Sequence, residues 1–143
     1  MPQTLARRLQ IKPDVSACIL NAPDGFVASL DGLPDTANVS IKADKSADVW
    51  LAFVKDAAAI AKHGPAAVKN AKVGAVVWFA YPKKSGPIKT DISRDSGWGP
   101  VEALDWAPVT QISIDETWSA LRFKPVGDIK SMTRKFGPHA RSD

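Results

Sequence analysis

The segment from Lys83 to Trp98 holds the residue types best suited to binding an anion. It carries four cations, four hydroxyl groups and two carboxylates, with Trp98 at its end between two glycines. Its candidate ligand contacts are Lys83, Lys84, Ser85, Lys89, Asp91, Arg94 and Trp98. Because ammonium and guanidinium groups donate strong hydrogen bonds to oxyanions, this mixture predicts a site for a phosphate or nucleotide-like ligand, with Trp98 on the binding surface. A solvated loop with Asp91 near a helix N-terminus is the equally weighted alternative.

A second candidate segment, Asn21-Ala-Pro-Asp-Gly25, follows the first predicted strand. Loops that hold phosphates or cofactors need small residues, because their backbone N–H groups must come close to the ligand. This segment has a single glycine, and Pro23 removes one N–H donor. We therefore expect a tight structural turn here, with ligand contact by Asn21, Asp24 and Gly25 as the alternative.

The reactive side chains form no recognisable catalytic or metal-binding pattern. One cysteine and two histidines are too few for a disulfide framework or a Cys/His zinc site. Cys18 lies within a predicted strand, where a thiol is usually buried and inert. His63 and His139 have no visible partner that would complete a nucleophile–base pair. We therefore predict no catalytic residue, no metal and no cofactor.

Length and composition are those of one soluble globular domain. The chain has 143 residues, of which 45% are hydrophobic and 24% are charged. Its longest unbroken apolar run, Ala75–Tyr81, is far shorter than the roughly 20 residues of a membrane span. The first eight residues, MPQTLARR, lack the apolar stretch of a signal peptide. These observations predict a cytoplasmic protein that does not interact with membranes.

The positive charge is concentrated at the two ends of the chain. The formal net charge is +4, with +3 on residues 1–12 and +3 on residues 124–143, which leaves −2 for the body. A nucleic-acid-binding domain normally places its cations on a folded face, so no specific nucleic-acid partner is expected. We predict an N-terminal arm over residues 1–12, one domain over residues 13–126 and a basic tail over residues 127–143. Weak, nonspecific attraction of nucleic acid by the ends is the alternative.

Apolar segments alternate with helical ones along the domain. Strands are predicted at Val15–Leu20, Asn38–Lys42, Asp48–Val54, Val73–Tyr81, Val109–Ile114 and Trp118–Phe123. Helical segments are predicted at Phe26–Leu30 and Asp56–Ala71, and Val101–Trp106 is predicted to be the end of a helix. Leu5–Lys12 is predicted to form a short helix or an extended arm. Asp56 is the expected N-cap of the long helix, and His63-Gly64-Pro65 is expected to break or kink it. Buried strands alternating with helices predict an α/β, three-layer sandwich with a mainly parallel sheet, closed by a C-terminal antiparallel hairpin.

This order of elements resembles the methyltransferase branch of the Rossmann-like folds in truncated form. In that family a glycine-rich loop after the first strand holds S-adenosylmethionine, and the last two strands form a hairpin with one strand antiparallel to the rest. The resemblance places Val15–Leu20 as the first strand and Asn21–Gly25 as the cofactor loop. It also implies that one or two strand–helix units of the family are missing between Lys42 and Asp48.

Four segments are also similar to those of a group of small bacterial proteins of unknown function. The similar segments are Ile19–Phe26, Val77–Gly86, Lys89–Trp98 and Ile114–Phe123. The resemblance spans roughly residues 10–126. It implies a fold and no particular activity.

Three functions stay open at this point. The leading one is a non-catalytic protein that binds a small anionic ligand, or a protein partner, at the C-terminal ends of the strands. The alternatives are a minimal transferase that uses S-adenosylmethionine or a nucleotide, and a module that forms a homodimer through its sheet edge or hairpin. A deep cleft between residues 21–25 and 83–98 would favour the enzyme.

Overall fold

Six strands form one sheet in the computed structural model, which describes residues 4–27, 30–42, 46–72, 74–84, 86–93 and 96–127. The strands are β1 Ser16–Leu20, β2 Asn38–Ser40, β3 Val49–Phe53, β4 Val76–Pro82, β5 Trp106–Ser113 and β6 Trp118–Pro125. The helices are α1 Leu5–Arg8, α2 Ala57–Asn70 and α3 Gly99–Glu102. The strand order in the sheet is β2-β1-β3-β4-β6-β5.

The sheet is mainly parallel, as predicted. Strands β2, β1, β3 and β4 run parallel to one another, whereas β6 is antiparallel to both of its neighbours, β4 and β5. All five residues of β3 are buried, and so is β4 from Val77 onward. The predicted central strands and the C-terminal antiparallel hairpin are therefore confirmed.

Two hydrophobic cores lie on opposite faces of the sheet, because successive side chains of a strand point to opposite sides. One core packs Trp50 and Phe79 against Ile60 of α2. The other packs Leu51 and Trp78 against loops and the N-terminal helix. The arrangement gives three layers, in agreement with the predicted α/β sandwich.

The N-terminal segment belongs to the second core rather than forming an arm. Ala6, Leu9 and Ile11 are buried against the sheet. The indole Nε1 of Trp78 donates a hydrogen bond to the Leu9 carbonyl oxygen at 3.1 Å. The predicted arm over residues 1–12 is corrected accordingly for the residues described, which begin at residue 4.

Helix α2 begins where the sequence predicts and continues where a break was expected. Asp56 caps it by accepting a hydrogen bond from the Ala59 N–H at 2.8 Å. The helix runs through Pro65 to Asn70, so of the predicted break or kink the break is wrong. Next to Pro65, Gly64 allows close packing on α3, because a Cβ atom there would lie 2.7 Å from a methyl group of Val101.

Two other local predictions need correction. The predicted helical end over Val101–Trp106 is only partly helical, because α3 stops at Glu102 and Trp106 already begins β5. Residues 24–27 form turns rather than a helix, while residues 28 and 29 and the tail from residue 128 lie outside the described residues. None of the helices in the described part of the chain is both long and apolar enough to cross a membrane.

Candidate functional site

A cavity of about 380 Å³ lies at the C-terminal ends of β1 and β3. The direction of the strand order reverses here, since the chain runs from β1 outward to β2 and then returns to β3 on the other side of β1. Open α/β sheets bind their ligands in the crevice that forms at such a switch point. This switch-point cavity is lined by Asn21, Pro23, Phe53, Lys55, Ala59, His63 and Trp118.

Aromatic rings form the apolar wall of the switch-point cavity. Phe53, the last residue of β3, contacts the rings of both Phe26 and Trp118 edge-on, with centroid distances of 4.9 Å each. Phe53 is buried, and Trp118 is 9% exposed. Such rings offer a rigid apolar surface to a ligand at little conformational cost.

Two basic side chains and one amide supply the polar part of the cavity. Lys55 is exposed just after β3, and His63 is half-buried on α2. Within the described ranges, the structure shows no ion pair for either side chain. Asn21 follows β1 with a φ of 59°, a left-handed conformation that asparagine adopts more readily than most residues. The cavity can therefore present positive charge and hydrogen-bond donors beside an aromatic wall.

Sequence reasoning identified only Asn21 among the residues that line this cavity. Lys55 and His63 were missed because neither has a motif, although Lys55 directly follows a strand that is recognisably buried on both faces. That position could have identified Lys55 as a candidate from the sequence, since ligands bind beyond the carboxyl ends of parallel strands. Phe53 and Trp118 read only as core residues until the fold brings them together.

The segment Asn21–Gly25 is a tight turn. The Phe26 N–H donates a hydrogen bond to the Pro23 carbonyl oxygen at 3.0 Å. Gly25 has a φ of +80°, which favours glycine, and a Cβ atom there would meet nothing within 4 Å. Asp24 and Gly25 are exposed and do not line the cavity, so Asn21 is the candidate contact of this turn that reaches it.

The cations of the segment 83–98 collect elsewhere. Lys84 and Lys89 line a separate cavity of about 310 Å³, together with Gly86, Ile88 and Thr90. Among described residues, this cavity shares none with the switch-point cavity. Two of the predicted cations therefore line one cavity. The single cleft between residues 21–25 and 83–98 that would favour the enzyme is not seen among the described residues, which form two separate cavities.

Lys83 lines neither of these two cavities. The ammonium group of Lys83 donates a hydrogen bond to the Ser113 hydroxyl at 2.7 Å, which ties the segment to β5. Ser85 and Arg94 lie outside the described residues.

Asp91 acts on a helix rather than on a ligand in this structure. Its Oδ1 atom accepts a hydrogen bond from the Ala57 N–H at 2.8 Å. Together with Asp56, it places two carboxylates on the first turn of α2. The N–H groups of Ala57 and Ala59 are therefore already satisfied by carboxylates.

Replacing Asp91 by alanine is expected to lower the free energy of unfolding by about 1 kcal/mol, because the Ala57 N–H loses its partner. Urea unfolding of the full chain measures the change. Asp24→Ala is the matched control, since Asp24 is exposed and its loss should change stability by less than about 0.5 kcal/mol. Equal stability of the two variants would show that Asp91 has no capping role.

Trp98 is a core residue, so the prediction that it lies on a binding surface is wrong. It is 3% exposed and packs against the rings of Phe79, Tyr81 and Phe123. Its indole Nε1 donates a hydrogen bond to the Ser93 carbonyl oxygen at 2.7 Å. The neighbouring Gly97, with a φ of +100°, lets the chain turn so that the indole points inward.

Comparison with solved structures identifies proteins of similar fold. No protein-family model matches the chain, and no curated protein matches it. A proposed methyltransferase from Thermoplasma acidophilum is similar in structure with a TM-score of 0.50 and 11% identity, over 79% of this chain and 69% of that one. A protein of the NADB-Rossmann superfamily from Streptococcus agalactiae gives 0.51 and 11%, over 87% and 70%. This chain therefore has a Rossmann-like α/β fold of the methyltransferase type.

Proposed function

We propose that this protein binds a small anionic ligand with an aromatic part in the switch-point cavity. The observation that carries the proposal is the placement of Lys55 and His63 beside the Phe53–Trp118 wall at the switch point. A volume of about 380 Å³ lies within the range of known small-molecule sites. The basic side chains would bind the anionic group of the ligand, and the aromatic wall would pack against its aromatic part.

Each lining group has a defined role in this proposal. The Lys55 ammonium group donates hydrogen bonds to the anion, and His63 adds a ring N–H donor. The Asn21 amide contributes a further donor or acceptor. Phe53 and Trp118 remove the aromatic part of the ligand from water, which stabilises the complex in proportion to the apolar area buried.

The proposal is binding rather than catalysis. Among the residues that the structure describes, those lining the switch-point cavity include no carboxylate that could orient His63 as a base, and no serine or cysteine nucleophile. Catalysis by a histidine usually depends on such a partner, which holds the ring in one tautomer.

A transferase that uses S-adenosylmethionine is the second candidate, favoured by the methyltransferase-type fold. The turn after β1 disfavours S-adenosylmethionine binding, because Pro23 lines the cavity and offers no N–H donor. We expect calorimetry to show no S-adenosylmethionine binding in the low micromolar range, which corresponds to about −8 kcal/mol. Binding at that strength would favour the transferase instead.

Thermal-shift titration with adenosine monophosphate and phenyl phosphate tests the proposed function. Lys55→Ala should weaken binding roughly tenfold or more, because a hydrogen bond to a charged group contributes about 1.5–3 kcal/mol. Lys62→Ala is the matched control, since Lys62 is exposed on α2 next to His63 and does not line the cavity. Equal effects of Lys55→Ala and Lys62→Ala would show that the protein attracts anions only through its general positive charge. A melting temperature that neither probe raises would contradict the proposal.

A further inference from the structure

A third concave region lies at the end of the sheet opposite the switch-point cavity. It has a volume of about 410 Å³ and is built by the connection from α2 to β4, the start of β5 and the end of β6. We call it the basal cavity, and it is lined by Ala71, Lys72, Gly74, Ala75, Trp106, Arg122, Lys124 and Pro125. Since β4 starts here and runs parallel to β3, this edge carries the amino ends of the parallel strands.

Arg122 brings a guanidinium group to the basal cavity. It stands in β6 between Leu121 and Phe123, which are both buried. Its Nε atom is shielded from solvent and has no hydrogen-bond partner among the described residues. Burial lowers the pKa of Arg122 from its ordinary value, as expected for a cation removed from water. Shielded donors without a partner are uncommon in folded proteins, so this one needs an explanation.

The charges around Arg122 make the basal cavity positive. Lys124 follows two residues later in β6, on the same side of the strand, and the part of the chain that the structure describes shows no ion pair for it. Lys72 pairs with Asp48 at 2.6 Å, which offsets its charge. None of the described residues that line the cavity is acidic. An anion would therefore supply the counter-charge that the described chain does not.

The side chains also indicate which kind of anion fits. A guanidinium group is planar and donates two parallel hydrogen bonds to the oxygens of one carboxylate or phosphate. Trp106, half-buried at the start of β5, also lines the cavity. Indole packs favourably against flat rings.

We propose that the basal cavity binds an oxyanion attached to an aromatic ring, with Arg122 and Lys124 contacting the oxyanion and Trp106 packing against the ring. Carboxylates and phosphates share this chemistry. The proposal is independent of the switch-point cavity, because the two cavities share no lining residue among those described.

The test uses the indole N–H signals of the ¹⁵N-labelled full chain in NMR spectra. Phenyl phosphate, benzoate and inorganic phosphate are titrated separately. We expect phenyl phosphate and benzoate to shift the Trp106 signal. Whichever of the two binds more tightly shows whether the cavity prefers phosphate or carboxylate. Inorganic phosphate, which lacks the ring, should bind at least tenfold more weakly than phenyl phosphate.

Two variants of Arg122 test the role of its guanidinium group. Arg122→Met should abolish the Trp106 shift and leave the melting temperature unchanged or higher, because methionine fills the space without an unpaired donor. Arg122→Lys keeps the charge and loses the planar pair of donors, so binding should weaken at least tenfold. Arg7→Met is the matched control, since Arg7 is exposed and the same charge is removed.

Each opposite result would overturn the proposal. If Arg122→Met lowers the melting temperature strongly while Arg122→Lys binds like the unmodified chain, Arg122 is structural and its planar donors have no role. Equal weakening by Arg7→Met would mean general attraction of anions. A shift of Trp118 instead of Trp106, removed by Lys55→Ala, would support the switch-point cavity and exclude the basal one.

Discussion

Replacing Trp98 by alanine is expected to lower the free energy of unfolding by about 3–5 kcal/mol, the range for large aromatic side chains removed from a core. The indole is 3% exposed and contacts three rings, those of Phe79, Tyr81 and Phe123. Removing it leaves a cavity between β4, β6 and the segment that precedes α3. It also removes the indole N–H that donates to the Ser93 carbonyl oxygen.

Urea unfolding followed by circular dichroism measures this effect, and Trp98→Phe separates its parts. Phenylalanine keeps much of the ring packing and loses the hydrogen bond, so its effect should be clearly smaller than that of alanine. A stable Trp98→Ala variant that no longer binds phenyl phosphate would show the opposite, namely that Trp98 serves a ligand rather than the core.

Gly97→Ala is expected to lower the free energy of unfolding by about 2–4 kcal/mol through two effects, backbone strain and overpacking. Gly97 has a φ of +100°, which side chains rarely tolerate. A Cβ atom at this position would lie 2.3 Å from a methyl group of Ile92, which is itself buried. Either the turn or the packing of Ile92 must change.

A matched variant separates the two effects. Gly74 has a φ of +85°, and a Cβ atom there would meet nothing within 4 Å. Gly74→Ala should therefore show backbone strain alone, about 1–2 kcal/mol. In addition, Ile92→Ala combined with Gly97→Ala should destabilise less than the two changes added together, because the residues are in contact. Full additivity, or equal effects at Gly97 and Gly74, would rule out a clash with Ile92.

The positions of the strands, and which of their faces are buried, follow from local sequence patterns. Asp48–Val54 and Val73–Tyr81 read as strands buried on both faces because their apolar runs are unbroken and too short for a membrane span. The structure places β3 and β4 inside these two ranges, except that β4 also includes Pro82. The hairpin could also be predicted from the sequence, since the turn Asp115–Trp118 separates two segments in which apolar and polar residues alternate. These signals operate within about ten residues and need no knowledge of distant neighbours.

The errors concern positions where a distant segment decides the outcome. Pro65 lies inside α2, where the neighbouring Gly64 packs closely against Val101 of α3. Trp98 is buried because β4 and β6 supply rings around it, although its glycine neighbours suggested exposure. Asp91 caps α2, which begins 34 residues before it in the chain. No local pattern of residue types contains these contacts.

The sequence by itself therefore determined the fold class, the order of the strands along the chain and the alternation of buried side chains, because period and composition express them locally. Only the tertiary structure decided which side chains share a cavity. Lys55, His63 and Trp118 line one cavity because the chain crosses from β2 to β3 at the switch point. Arg122 and Trp106 line another at the opposite edge because β5 pairs with β6. Binding sites depend on such convergence of distant residues, which local propensity and hydrophobic period do not encode.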